Sequence, residues 1–322
     1  MASQIKIPFF SIVIPLYNQG NTVSRAVSSI LNQTKGDFEV IVVNDGSTDN
    51  GSSKVNQIND GRVRLITQIN QGVSVARNRG IHESRGNFVA FLDADDEWEP
   101  TFLETVSDLR ELFPQAKAYG TAYKIQVSTR GKRIQRYYGI PSSPWVGILD
   151  NYFRTAVINP PFCSSSIMIE KSVFNEIGGF PPGVKRGEDL DMWLRIALSY
   201  PIAFSTSPQA VIYQEGGNRA SIGHHYPGEV PLSISAHLAI EQGKVPPESQ
   251  QDLLELVARQ QLFAVQHRLL EDDKQTASTI LASISYTKQF RRHWLWWRFW
   301  SIMPLEVFLV SRRIIDWMRS GI

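Results

Sequence analysis

The stretch that most limits what this chain can fold into is Phe88-Val89-Ala90-Phe91-Leu92, which runs without a break into Asp93-Ala94-Asp95-Asp96. Consecutive apolar residues rich in β-branched and aromatic types predict a short strand buried on both faces, as in a parallel sheet covered by helices. Acids at the carboxyl end of such a strand sit where open α/β sheets bind their ligands. On an extended backbone alternate side chains share a side, so Asp93 and Asp95 are expected to point together. Two anions there repel by roughly 4 kcal/mol at about 4 Å and an effective dielectric near 20. A hard divalent cation with oxygen ligands turns that repulsion into binding. A second reading of the same residues is a helix N-cap, with Asp95 or Asp96 ahead of Pro100 and a helix over 101–113. Capping uses one acid, and this segment carries three.

The flanking residues repeat a strand–helix alternation. Strands are expected at 11–15, 40–43 and 63–66. A helix from residue 22 carries Val23, Ala26, Val27, Ile30 and Leu31 as one stripe, and further helices are expected at 52–58 and 72–83. Beyond the acids the pattern predicts a strand at 118–127, a basic loop at 130–143, and a strand at 164–169. A short helix and turn follow at 174–180, then a helix from 187 to 199, strands at 202–204 and 211–213, and a loop at 216–228. Amphipathic helices are expected at 248–270 and 274–283. The fold class is therefore α/β: a mostly parallel central sheet flanked by helices over residues 1–220, with a helical region over 221–322.

At 322 residues, 42% hydrophobic and 20% charged, the chain is expected to be folded. Cys163 is its single cysteine, which excludes an intrachain disulfide and suits a reducing, cytoplasmic compartment. No basic segment with an apolar core opens the sequence and no run reaches the length of a spanning helix, so neither a signal peptide nor a membrane span is expected. Glycine spacings for a dinucleotide fingerprint or a phosphate loop are missing, which disfavours a Rossmann dehydrogenase, and no nucleic-acid partner is expected. The net charge of +2 hides an asymmetry. From Lys288 onward, seven cations face only Glu306 and Asp316, and five of the eight tryptophans lie there. Tryptophan with arginine is the composition of a helix lying in a membrane interface. Residues 288–322 are thus expected to touch a membrane surface, with Val307, Val310, Ile314 and Trp317 sharing one face after Pro304. Packing of the tail on the sheet domain is the alternative.

Three further residue groups carry chemistry. Asp45, in the polar run 44–49, can accept from an N–H such as the imide of uracil, and Tyr17 offers an aromatic surface for a base; a plain turn before a capped helix is the other reading. Arg77 lies in a helix of otherwise small residues, either solvated or serving as a fixed, forked cation beside an anionic ligand. Glu188 and Asp189 open a helix, where the dipole alone favours acids.

Taken together, the segments 11–18, 42–49, 70–80, 91–96 and 187–189 resemble an inverting family-2 glycosyltransferase of the GT-A fold, over roughly residues 9–215. The resemblance implies that Asp93 and Asp95 form the Asp-x-Asp motif. Asp95 would ligate Mn²⁺ or Mg²⁺ at the donor diphosphate, and Asp93 would contact the ribose or the metal through water. It implies that Asp45 reads the uracil, that Pro15 and Tyr17 line the base and ribose pocket, and that Arg77 lies near base and diphosphate. Asp189 would be the catalytic base and Glu188 would orient or bind the acceptor. Arg219 and His224 would belong to a loop closing on the donor phosphates. The implied reaction moves a sugar from a nucleotide-diphosphate donor, a UDP-sugar, to a hydroxyl of a glycan or lipid-linked saccharide in cell-surface polysaccharide assembly. The location implied is cytoplasmic, peripheral on the inner face of the plasma membrane. Alternatives are a polyprenyl-phosphate glycosyltransferase, which needs no strong base, and a non-catalytic nucleotide-sugar-binding protein.

Overall fold

The computed structural model describes residues 7–127, 131–135, 137–214, 230–284 and 287–303. The chain divides into two compact units, residues 1–222 and 223–322. The strands of the first are β1 (Phe10–Leu16), β2 (Phe38–Asp45), β3 (Val63–Gln68), β4 (Phe88–Phe91), β5 (Glu97–Trp98), β6 (Ala118–Val127), β7 (Gly131–Ile134), β8 (Val146–Ile148), β9 (Ile167–Glu170) and β10 (Ile202–Tyr213). They form one sheet in the order β3-β2-β1-β4-β9-β6-β10-β5, with β7 on β6 and β8 on β10. Its helices are α1 (Val23–Leu31), α2 (Gly51–Asn56), α3 (Val73–Glu83), α4 (Phe102–Leu112), α5 (Tyr152–Ile158), α6 (Lys171–Ile177) and α7 (Glu188–Ser199).

The sheet is parallel from β3 through β2 and β1 to β4 and again between β6 and β10; β9 runs antiparallel between β4 and β6. The parallel run is buried on both faces, as unbroken apolar sequence requires: Ile12, Val13, Ile14 and Val40 to Val43 are inaccessible to solvent. Each such side chain contributes about 1.5–3 kcal/mol on leaving water. Pro15 is tolerated in central β1 for a specific reason. Val13 faces β4, its carbonyl accepting from the Leu92 amide at 3.1 Å, and Pro15 two residues on faces the same way. The pairing with β4 has ended at Val13, so the missing N–H interrupts no ladder. Across the sheet, α3 closes onto β1 at Gly80, where a Cβ would lie 2.2 Å from Val13 Cγ1.

Several expectations change. Within the loop expected at 130–143, residues Gly131–Ile134 form β7 on β6. Residues Ser164–Ser166 are a 3₁₀ turn ahead of β9 rather than strand. The strands expected at 202–204 and 211–213 are the two ends of one strand, β10. Its middle slips register around Ser205 and Pro208, which hid the alternation.

The second unit holds α8 (Pro231–Glu241), α9 (Pro247–Leu270), α10 (Lys274–Ser283) and α11 (Arg291–Ser301). Leu253, Leu256, Val265 and Leu269 are the buried stripe of α9. Two buried polar side chains on α9 fasten its neighbours. Gln261 donates to Ser233 Oγ at 3.2 Å and Ser283 Oγ at 3.0 Å. Glu255 accepts from Thr287 Oγ1 at 2.6 Å and the Lys288 amide at 2.7 Å, fixing the approach to α11. No helix among the described residues is long and apolar enough to cross a membrane. The segment after Pro304 lies outside the described residues.

Candidate functional site

Because β1, β2 and β4 are parallel, their carboxyl ends deliver Leu16, Asp45 and Asp93 to one edge of the sheet. The antiparallel β9 brings its leading turn, Ser164–Ser166, to that edge as well. The chain leaves strand geometry after Phe91, and the acids lie in a turn closed by the Asp96 amide donating to the Asp93 carbonyl at 3.0 Å. The alternation expected to align Asp93 with Asp95 therefore does not apply; a turn gathers the acids instead. The capping alternative is also corrected. Thr101 occupies the N-cap position of α4 without a side-chain capping bond, its hydroxyl donating to Gln209 Oε1 at 2.9 Å instead, and Asp96 points inward.

Ser165 fastens this turn. Its hydroxyl accepts from the Asp93 amide at 3.1 Å and donates to Asp96 Oδ2 at 2.6 Å, while its carbonyl accepts from Trp98 Nε1 at 2.7 Å. Burial raises Asp96 well above the usual carboxylate range, the charges of Asp93 and Asp95 push it further, and the Ser165 and Tyr213 hydrogen bonds only partly oppose them. Asp96 is thus an internal strut. Arg25 donates to the Asp95 carbonyl and lies over the Tyr213 ring at 3.7 Å, fixing the outer half of the turn.

Arg77 supplies the central link. Its guanidinium is buried and donates from Nη2 to Asp93 Oδ1 at 2.8 Å and from Nη1 to Glu188 Oε1 at 3.0 Å. The solvated reading of this arginine is excluded. Burial alone would make it a weaker cation, but Asp93 and Glu188 keep it protonated. One fork thereby joins the end of β4 to the start of α7. Asn78, one residue on, holds the floor beneath it. Its Nδ2 donates to the Phe180 carbonyl at 2.7 Å and its Oδ1 accepts from the Phe180 amide at 2.8 Å. The Phe180 ring lies 5.2 Å from the Arg77 guanidinium.

Asp189 follows Glu188 in the first turn of α7, after Gly187 in a left-handed conformation with φ of 79°. Its Oδ1 accepts from the Leu190 amide at 2.8 Å. Burial and then the Glu188 charge push its carboxyl up to about 7, against the opposing pull of Arg77. A carboxyl there is half ionised near neutrality, which suits a group that must accept a proton at that pH. One helical turn on, Trp193 is fully buried between Phe162 and Phe180. Arg195 donates to Asp191 and to the Ile177 and Gly179 carbonyls, so both residues brace α7.

At the far side of the edge, Asp45 is buried and accepts from Gln68 Nε2, the Gln71 amide and the Gly72 amide, at 2.8, 2.9 and 2.8 Å. It draws the loop ahead of α3 against β2. A carboxylate offers about four acceptor sites, of which these bonds use three. Tyr17, two residues after Pro15, is half exposed, and the loop after β1 is laced to the loop after β2. Asn18 Oδ1 accepts from the Thr48 amide at 2.8 Å, and Asp49 Oδ2 accepts from the Gly20 amide at 2.7 Å. Arg219 and His224 lie outside the described residues.

Sequence reasoning did not single out Ser165, Asn78 or the inward role of Asp96. Their partners lie 67 to 117 positions away, and no local pattern marks them.

The turn has the donor chemistry of a hard-cation site. Its side-chain donors are carboxylate oxygens, and the Asp93 side chain is 35% exposed despite its bond to Arg77. Among the described residues no three His, Cys, Asp or Glu side chains form a closed cage. Mg²⁺-type sites commonly use one or two carboxylates with substrate phosphates completing the shell, which this arrangement fits.

Residues 11–178, more than half of the chain, match the sequence model of glycosyl transferase family 2. Chondroitin synthase of Pasteurella multocida is 33% identical over 196 residues, covering 60% of this chain and 19% of that protein. The chain spans 19–41% of the length of the curated relatives it matches. Among solved structures, Staphylococcus aureus TarS 1–349 in complex with UDP-GlcNAc is similar with a TM-score of 0.67 and 20% identity, over 85% of this chain and 80% of that one. Mannosyltransferase PcManGT from Pyrobaculum calidifontis, in complex with GDP-Man and Mn²⁺, is similar with a TM-score of 0.54 and 19% identity, over 97% and 81%. At those identities the likeness is one of fold, the GT-A fold expected from the sequence. The family match runs from β1 to the end of α6, through Arg77 and the Asp93 turn and short of α7, and the chain belongs to glycosyl transferase family 2.

Proposed function

We propose that the chain is a metal-dependent, inverting glycosyltransferase that moves a sugar from a UDP-sugar to a hydroxyl of a glycan or lipid-linked saccharide. The observation that carries this reading is the Arg77 fork, which ties the Asp93 turn to the helix bearing Asp189. A sugar hydroxyl is a poor nucleophile at neutral pH, so a carboxylate must take its proton as attack develops. Asp189, pushed up to about 7, is the group suited to that task. Attack from the side opposite the leaving diphosphate inverts the anomeric carbon. Glu188 holds Arg77 and raises Asp189, which makes it a positioning residue.

Asp95 and Asp93 would hold Mn²⁺ or Mg²⁺, which as a Lewis acid would offset charge on the departing diphosphate. Asp45, with an acceptor site to spare, would take the N–H of the base, and Tyr17 and Pro15 would flank the ring. The UDP-GlcNAc in TarS and the Mn²⁺ in the mannosyltransferase support a nucleotide-sugar donor and a metal in this fold. A polymer-building acceptor is supported by the likeness to chondroitin synthase. A raised base also favours a hydroxyl over a lipid-phosphate acceptor, whose oxygen is already ionised. We place the chain at the cytoplasmic face of a membrane, where lipid-linked acceptors would be reached.

A thermal-shift screen of nucleotide sugars with and without Mn²⁺ tests the donor half. Stabilisation by UDP-sugars only with metal, abolished in Asp95→Ala, is the expected result; indifference to metal would overturn the metal assignment. Asp189→Asn tests the other half. Transfer to a hydroxyl should fall about 10²–10⁴-fold with donor binding retained. Full transfer in that variant would remove Asp189 as the base.

A further inference from the structure

Helix α11 buries one side and leaves large apolar side chains in water on the other. Trp300 and Ser301 are buried, and Trp294 Nε1 donates to the Leu281 carbonyl at 3.2 Å, so this side is docked on its own unit. On the outward side Leu295 is 52% exposed, Trp296 43%, Phe299 48% and Ile302 78%. Residues 295, 299 and 302 follow the i, i+4, i+7 rule and share a face, with Trp296 at its margin. Arg291, Arg292 and Arg298 are exposed around that face, and no acid occurs between residues 288 and 303. At about 1.5 Å per residue the helix is too short to cross a bilayer. It has the length, the aromatic content and the uniform positive rim of a helix that lies in the headgroup plane.

We propose that the outward face of α11 docks on an anionic lipid bilayer. Leu295, Trp296, Phe299 and Ile302 enter the acyl boundary and the three arginines meet lipid phosphates. The charge selects this occupant. A water-facing apolar strip could equally meet a second copy of the chain, but two copies would bring two arginine rims together with no acid in the segment to receive them. The inference is independent of the transfer reaction, since none of these side chains belongs to the site at the sheet edge.

Flotation of the full chain with vesicles tests it. Binding is expected with phosphatidylcholine vesicles containing phosphatidylglycerol, weakening as salt is raised, and not with phosphatidylcholine alone. Each arginine near an anionic surface is worth about a fivefold change in partition, so Arg291→Gln with Arg292→Gln should lower it about 25-fold. Trp296→Ser with Phe299→Ser should remove flotation while circular dichroism and metal-dependent UDP-sugar binding stay as in the parent. Undiminished flotation of the serine variant would overturn the proposal. So would an absence of binding to the anionic vesicles, and a dimer, seen by sedimentation, that the serine variant abolishes would then assign the face to a second copy of the chain.

Discussion

Asp189→Asn gives a test of the base that needs no substrate. In the folded protein the carboxyl is pushed from 3.8 up to about 7, by burial first and by Glu188 second. The neutral form is therefore the one the fold prefers. Between about pH 4 and 7 the folded chain keeps a proton that the unfolded chain has released, so stability falls as pH rises through that window. Three pH units at about 1.36 kcal/mol each amount to roughly 4 kcal/mol, an upper bound because the side chain is partly solvated. Asparagine copies the neutral acid and can still accept from the Leu190 amide. The variant should match the parent near pH 4 and exceed it at pH 8. At about 2–4 °C per kcal/mol, the gain in Tm at pH 8 reaches ~10 °C. Titrating groups remote from the site are common to both proteins and cancel in the difference. Thermal unfolding from pH 4 to 8 reads it directly. Parallel Tm curves, or a variant less stable than the parent at pH 8, would refute the claim that the site holds this acid neutral.

Three further outcomes follow from the same contacts. Arg77→Ala leaves Asp93 and Glu188 without their shared cation and should cost about 3–5 kcal/mol in urea unfolding at pH 7.5. Ser165→Ala strands the Asp93 amide and one oxygen of Asp96, and should cost about 1–3 kcal/mol in the same assay. Once a donor and acceptor pair is in hand, kcat/KM should rise with pH along an acid limb near 7, since Asp189 must be ionised to accept the proton.

The parallel half of the sheet was legible because burial on both faces forces apolar runs, and β1, β2 and β4 lie where those runs do. Amphipathic α1 and α9 were legible for the same reason, through their stripes. What failed were elements whose residues answer to distant partners. Helix α5 opens at Asn151, whose side chain caps the Arg154 amide at 3.0 Å, but the segment is short and lacks a periodic stripe long enough to find. Strand β7 is basic and gains its place from β6 rather than from its own composition. In the candidate site the acids could be found but not their geometry. Strand alternation stops at Phe91, where the chain turns, and the hydroxyl of Ser165 that closes the turn comes from a segment whose sequence resembles plain strand.

The site also solves an electrostatic problem that the sequence only poses. Asp93, Glu188 and Asp189 act on one buried cation, Arg77, with Asp95 and Asp96 in the same turn as Asp93, and so many anions cannot all be desolvated together. The fold relieves them in three ways. Asp96 and Asp189 are raised towards the neutral form, the first to strut the turn and the second to within reach of neutral pH. Glu188 spends its charge on Arg77. Asp93 shares Arg77 but keeps a third of its surface in water, where an added divalent cation could replace the arginine's share. Cation binding would then free part of the Arg77 charge for Glu188 and Asp189, lowering the proton affinity of the base as the donor arrives. An acid limb of the rate profile that moves to lower pH as Mn²⁺ is titrated in would carry the signature of that coupling; a limb fixed at all metal concentrations would show the two ends of the fork to be independent.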